Sequence, residues 1–385
     1  MKDWQIKKLG DVCEVIAGQS PEGKFYNKTG NGLPFYQGKK EFTEKFIGEP
    51  TTWTTVITKE ARAGDILMSV RAPVGPINFT TEKICIGRGL AAIRASQDID
   101  KDFLFNFLKK HENEIVGNAG AVFNSINKTQ IGNIEIPLPP LPEQQRIAAI
   151  LDEAFAAIAT AKENSEKNLQ NARELFESYL QGVFANLGDG WEEKTLDQVS
   201  ITFGRGKSKH RPRNEKTLYG GKYPFIQTGD IRNSNHYITE YSQTYSEIGL
   251  AQSKLWPKGT ICITIAANIA ETGILGFDAC FPDSVIGLVV NPKIAEMNFV
   301  EYLLQSFKAR LQEKGKGSAQ DNLNMGTFEN ELFPIPPLPE QRSIVAKLDA
   351  LSAETKNLEA VYQQKLVDLD ELKKSVLQKA FSGEL

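Results

Sequence analysis

The sequence predicts a duplicated α/β (α+β) fold. Two strand-rich domains are separated by two long antiparallel coiled-coil helices, and a pseudo-two-fold internal repeat relates the halves. Three observations predict this. The segment Pro137–Asp152 returns as Pro334–Asp349 at an offset of 197, with 11 of 16 positions identical. A second match, Glu174–Phe184 with Glu371–Phe381, keeps that offset across 21 intervening residues. A constant offset over that length marks a rigid element. Within it, apolar residues step by four and three, the signature of a helical seam.

Taken in order, the chain divides into a first strand-rich domain (1–141), a first helix (142–186), a second strand-rich domain (187–338) and a second helix (339–385). Pro142 and Pro339 suit a first helical turn, where a missing N–H costs nothing. Glu143 and Glu340 follow at the positive end of the helix dipole. The expected inter-helix packing residues are Ile147, Leu151, Ile158 and Leu175 in the first helix. In the second they are Ile344, Leu348, Leu351, Leu358, Leu369 and Leu372. The middle of each seam is polar, at Ser165/Asn168 and Tyr362/Lys365.

Weaker repeats precede each helix. Trp4–Val12 is similar to Trp191–Val199, Leu33–Gln37 to Tyr223–Gln227, and Gly64–Met68 to Gly259–Ile263. Between these anchors the two copies differ freely. Runs such as Asp65–Val70, Thr260–Ile265 and Ser284–Val290 are bounded by Gly, Pro or Asp and read as strands. Helices are expected over Phe103–Glu114 and Phe299–Glu313.

Composition sets limits on function. The 385 residues are 41% hydrophobic and 24% charged, with net charge −3, which excludes global disorder. The longest apolar zone, Thr260–Phe277, carries Asn268 and Glu271, so no membrane span is expected. Met1–Ile6 lacks a hydrophobic signal core. Cys13, Cys85, Cys262 and Cys280 are scattered without a CxxC pair, which predicts a reducing cytoplasm and no zinc site. Lys+Arg against Asp+Glu is 18 to 16 in residues 1–141 and 16 to 17 in 187–338, so nucleic-acid binding must use local patches.

Catalytic motifs fail on inspection. No Asn/Asp-Pro-Pro-aromatic loop is present. Phe203–Ser208 lacks the glycine a phosphate loop needs four residues before Gly-Lys-Ser, where Ile201 stands. No Gly-x-Ser-x-Gly or His-Glu-x-x-His occurs. No catalytic residue and no metal site is expected.

The doubled pattern of variable domain, Pro-Pro-Leu-Pro-Glu-Gln hinge and helix resembles the specificity subunit of type I restriction–modification enzymes, over nearly the whole chain. The resemblance implies two target-recognition domains, each reading one half of a bipartite duplex DNA target. It implies helices that set the spacing and dock two methyltransferase (M) subunits, with restriction (R) subunits added. The subunit itself would be non-catalytic and hold no cofactor. S-adenosylmethionine, ATP and Mg would be bound by the partner subunits, and the complex would methylate adenine N6 and cleave DNA with ATP. Each helix of about 45 residues would be ~68 Å long, enough to hold two readers more than one turn of DNA apart. The alternative is a non-DNA structural or interaction protein built on an antiparallel coiled coil.

Candidate DNA-binding residues in the second domain centre on Arg205, Lys207, Lys209, His210, Arg211 and Arg213, a Gly- and Pro-containing basic loop without an acid. Arg232, Asn233 and Asn268 are variable polar positions placed to specify bases. In the first domain the candidates are Lys24, Tyr26, Lys28, Lys39, Lys40, Arg71 and Arg88. Gln37 and Gln227 sit on repeated Pro-Phe-x-Gln turns, with amides suited either to adenine edges or to a framework role. Asn124 and Asn322 lie in Gly-rich stretches ahead of the hinges.

Overall fold

The computed structural model describes residues 4–385 except 113, 116–124, 187, 210, 211, 213, 267, 268, 317–322 and 324. The chain forms two compact units. One comprises residues 1–166 with 363–385, and the other residues 167–362. Each unit therefore contains one strand-rich domain and parts of both long helices.

In the first unit an antiparallel sheet runs in the order Cys13–Ala17, Leu90–Ala95, Ile66–Ser69, Ile77–Phe79. A second sheet joins Tyr26–Asn27, Trp53–Thr54, Leu33–Tyr36, Ile84–Ile86 and Glu60–Ala61. A ribbon of Gln5–Lys8 and Glu135–Leu138 precedes the hinge. The helix Lys101–Lys110 is capped by Asp100, whose side chain accepts from the backbones of Asp102 and Phe103. Phe103, Leu104, Phe105, Phe107 and Leu108 are buried in one core with Ile66, Met68 and Ile93. Ile147, Leu151, Ala380 and Phe381 of the long helices join this core.

The second unit repeats the plan. One sheet runs Ser200–Arg205, Val285–Val290, Ile261–Thr264, Thr272–Leu275, Tyr237–Ile238. The other runs Gln243–Tyr245, Tyr219–Phe225, Ala279–Cys280, Leu255–Trp256. Glu192–Lys194 pairs with Phe333–Ile335 as the ribbon. The helix Met297–Ser306 is capped by Glu296. The helix expected over 299–313 is broken in two, Met297–Ser306 and Lys308–Lys316. The break falls at Phe307, whose ring packs on Phe333 at 5.2 Å. The four cysteines are all buried.

The long helices are Leu141–Ala185 and Leu338–Ser382, 45 residues each. In each unit their packed segments run antiparallel. In the first, Lys162 pairs with Asp370, and Arg146 donates to the backbone oxygen of Leu385 at 2.7 Å. In the second, Arg173 pairs with Glu359 at 2.9 Å, and Leu180 and Phe184 share a core with Val345 and Leu348.

Of the expected packing residues, Ile147, Leu151, Ile158 and Leu348 are buried and Ile344, Leu351 and Leu369 half-buried. The seam needs correction at the others: Leu175, Leu358 and Leu372 are 51%, 38% and 47% exposed. The packed stripe passes instead through Leu169, Phe176 and Leu180 in the first helix and Leu366 in the second. An α-helix has 3.6 residues per turn, so a strict 3.5-residue seam drifts by ~20° per heptad. Past the middle of each helix that drift carries the contact face one residue along.

Candidate nucleic-acid interface

Both domains gather three turns at the end of the strand that follows the ribbon. In the first, the backbone N–H of Gly18 donates to Leu90 O at 2.9 Å and that of Gln19 to Ile86 O at 3.0 Å. Gly87 N donates to Tyr36 O (2.8 Å), Gly89 N to Gln37 O (3.1 Å) and Val70 N to Gly89 O (2.9 Å). The second domain repeats three of these bonds. Gly206 N donates to Val285 O (2.8 Å), Lys207 N to Phe281 O (3.1 Å) and Ile265 N to Ser284 O (3.0 Å).

Two glycines make this approach possible. A Cβ on Gly18 would lie 2.2 Å from the Gly87 carbonyl oxygen, and one on Gly206 would lie 2.3 Å from that of Phe281. Any side chain there would push the two turns apart. These glycines are framework residues that sequence reasoning passed over.

In the first domain the turns carry exposed Gln37, Arg71 and Arg88, with exposed Lys39 and Lys40 on the short 3-10 turn Lys39–Glu41. The Arg88 backbone N–H is held by Ser20 Oγ at 3.2 Å, which fixes the turn but leaves the guanidinium outward. Lys24 is different: it pairs with Glu22 at 2.6 Å and lies over the Phe25 ring. Tyr26 is framework, since its hydroxyl donates to Pro21 O at 2.8 Å and its ring stacks on Phe35. Lys28 is exposed on a turn organised by the Asn27 side chain.

In the second domain Arg205 ends its strand opposite Ile286, exposed, with exposed Lys207 and Lys209 following. His210, Arg211, Arg213 and Asn268, and likewise Asn124 and Asn322, lie outside the described residues. Lys207 is pinned through its carbonyl oxygen, which accepts from Ser253 Oγ at 2.8 Å. Beside it stands Lys254, which sequence reasoning missed, 3.5 Å above the Trp256 ring. Burial, and then the Lys207 charge, depress the Lys254 pKa. Two cations brought that close favour an anion between or above them.

Next to this loop is a cleft of about 680 Å³, lined by Ser208, Lys216, Tyr219, Gln227, Gln243 and Ser284 among others. The Gln227 amide donates to Gln243 Oε1 at 2.8 Å, so the repeated glutamine is oriented by a neighbour. Arg232 and Asn233 end the helical turn after Gln227 and line two other clefts, Arg232 with Glu271 and Lys308, Asn233 with Asp230 and Tyr241.

The hinge glutamines were also missed as structural keys. Gln144 and Gln341 are fully buried and tie the start of each long helix to its own domain. Their signal was the identical Pro-Glu-Gln triplet in both copies.

The family model for the type I restriction modification DNA specificity domain matches residues 1–170 and again 188–366. The chain belongs to this family of type I restriction–modification specificity subunits. The double match coincides with the duplicated turns and hinges.

Among curated relatives, the putative type I restriction enzyme MjaX specificity subunit of Methanocaldococcus jannaschii is 41% identical over 177 residues, 45% of this chain and 41% of that protein. The MjaIX specificity subunit of the same organism is 23% identical across 100% of this chain and 94% of its own. The EcoBI specificity subunit of Escherichia coli is 24% identical over 99% of this chain and 86% of its own. Among solved structures, the HsdS subunit from Thermoanaerobacter tengcongensis superposes with a TM-score of 0.71 at 21% identity, covering 100% of this chain and 98% of that one. A chain from work on complex assembly and conformational transition of the type I R-M system gives 0.80 at 22%, covering 100% and 99%. These two likenesses establish the fold. Among the described residues no helix is long and apolar enough to cross a membrane.

Proposed function

We propose that this specificity subunit reads a bipartite duplex DNA sequence, one half with each strand-rich domain, without catalysing a reaction itself. The supporting observation is the duplicated turn cluster at Gly18–Ser20 and Gly206–Ser208. Each copy sets exposed basic side chains beside an oriented or exposed glutamine. Lysines and arginines there neutralise phosphates, while amide and guanidinium groups read base edges. In this reading Arg88, Arg71, Lys39 and Lys40 act in one domain, and Arg205, Lys207, Lys209 and Lys254 in the other. Lys24 and Tyr26, tied into their own turn, contribute shape rather than contact.

The 45-residue helices act as the spacer between the half-sites and as the docking surface for two methyltransferase subunits. S-adenosylmethionine, ATP and Mg belong to the methyltransferase and restriction subunits, and this chain takes no cofactor. Sequencing the adenine methylome of a host with and without the gene tests the proposal. A bipartite methylated motif that vanishes with the gene supports it, and an unchanged methylome refutes it.

A further inference from the structure

The two ion pairs between the long helices occupy the same places in the internal repeat, with their signs arranged unequally. Lys162 of the first helix pairs with Asp370 of the second, and Arg173 of the first with Glu359 of the second. At the repeat offset of 197, position 162 corresponds to 359 and position 173 to 370. The repeat thus puts cations at both places on the first helix and anions at both places on the second. Each pair taken alone is a partly exposed surface ion pair.

The ends of the apolar seam do not distinguish the two helices, although its middle differs, with Ile158 corresponding to Thr355 and Phe176 to Lys373. Ile147 corresponds to Ile344 and Leu151 to Leu348, and both copies keep the same hinge. Two first helices from two copies of this chain could therefore close those ends of the seam. Such a pairing would set Lys162 against Arg173 twice. Two second helices would set Glu359 against Asp370 twice. Like charges flanking a helix seam decide which helices pair.

We infer that Lys162, Arg173, Glu359 and Asp370 form a charge code that admits first-with-second helix pairing and rejects pairing of like helices between two copies of the chain. The code stands apart from DNA reading, since none of the four residues belongs to the turn clusters.

The test uses the full chain and a charge swap that preserves every pairing within it. Arg173→Glu with Glu359→Lys keeps a salt bridge at both places, yet makes first-with-first and second-with-second pairing attractive. An added Asn168→Cys reports the exchange. Asn168 is exposed and lies next to the midpoint between positions 162 and 173. Two first helices paired antiparallel bring position 168 of one copy against position 168 of the other, where mild oxidation joins the two introduced thiols.

The chains are unfolded in urea, refolded over a range of concentration, oxidised and sized. The swapped chain is expected to give about tenfold more dimer linked through position 168 than the Asn168→Cys chain with native charges. The mirror swap, Lys162→Glu with Asp370→Lys, is expected to do the same. Equal dimer yields from folded swapped and native chains would overturn the inference. Failure of both swaps to fold would also overturn it, because the charges would then serve the chain's own fold rather than partner choice.

Discussion

Gln144 and Gln341, at the same place in the two copies, make the same three hydrogen bonds. Each side-chain amide donates to the carbonyl of the first proline of its hinge, Pro139 at 2.8 Å and Pro336 at 2.7 Å. Each donates again to the turn before its domain's helix, Asp98 O and Ile294 O, both at 3.1 Å. Each carbonyl oxygen accepts from the helix N-cap backbone, Asp100 N at 2.8 Å and Glu296 N at 2.7 Å. One buried amide thus satisfies three backbone groups and fixes the angle at which a long helix leaves its domain.

Replacing Gln341 by Leu keeps the volume and strips all three bonds. Each buried backbone group left unpaired costs about 1–3 kcal/mol. Gln341→Leu should therefore lower the stability of the second unit by about 3 kcal/mol or more, read as a reduced urea midpoint. Gln144→Leu should do the same in the first unit. An unchanged midpoint would mean that these bonds are replaced by water.

The position of the seam makes a paired prediction. Leu348 is fully buried and Leu358 is 38% exposed. Leu348→Asp puts a carboxylate where no partner awaits it and should cost several kcal/mol. Leu358→Asp should change stability by under about 1 kcal/mol. Thermal unfolding of the two variants checks both, and equal losses would return Leu358 to the packed face.

The basic loop predicts a salt effect. Replacing Arg205, Lys207, Lys209, Arg211 and Arg213 by Ala should weaken binding of the assembled methyltransferase to all duplexes. The slope of log K against log salt should flatten by up to about 0.9 per lost phosphate contact. Lys254→Ala alone should move the slope the same way by a smaller step. Loss of preference at one base pair, by about 1–3 kcal/mol with the slope unchanged, would instead assign base reading to an arginine.

The hinges and helices were legible because the sequence states them twice, and a repeated Pro-Glu-Gln needs no further context. Strands such as Ile66–Ser69 and Ile261–Thr264 were legible from apolar runs between turn residues. The seam beyond Ser165 was misplaced by a 3.5-residue period on helices whose contact face drifts. The helix break falls at Phe307, whose ring packs on Phe333, and no local signal announces it. Gly18 and Gly206 gain meaning only from carbonyls distant in the chain. Lys254 is a lone lysine in the sequence, and its place beside Lys207 shows only in the fold, where its neighbour Ser253 donates to the Lys207 carbonyl.

The central claim is that each domain reads its own half of the target. Exchanging residues 190–333 for the corresponding region of another specificity subunit, and then sequencing the host methylome, tests it most directly. The account predicts a methylated motif in which one half changes while the other half is retained. A motif altered in both halves would contradict it.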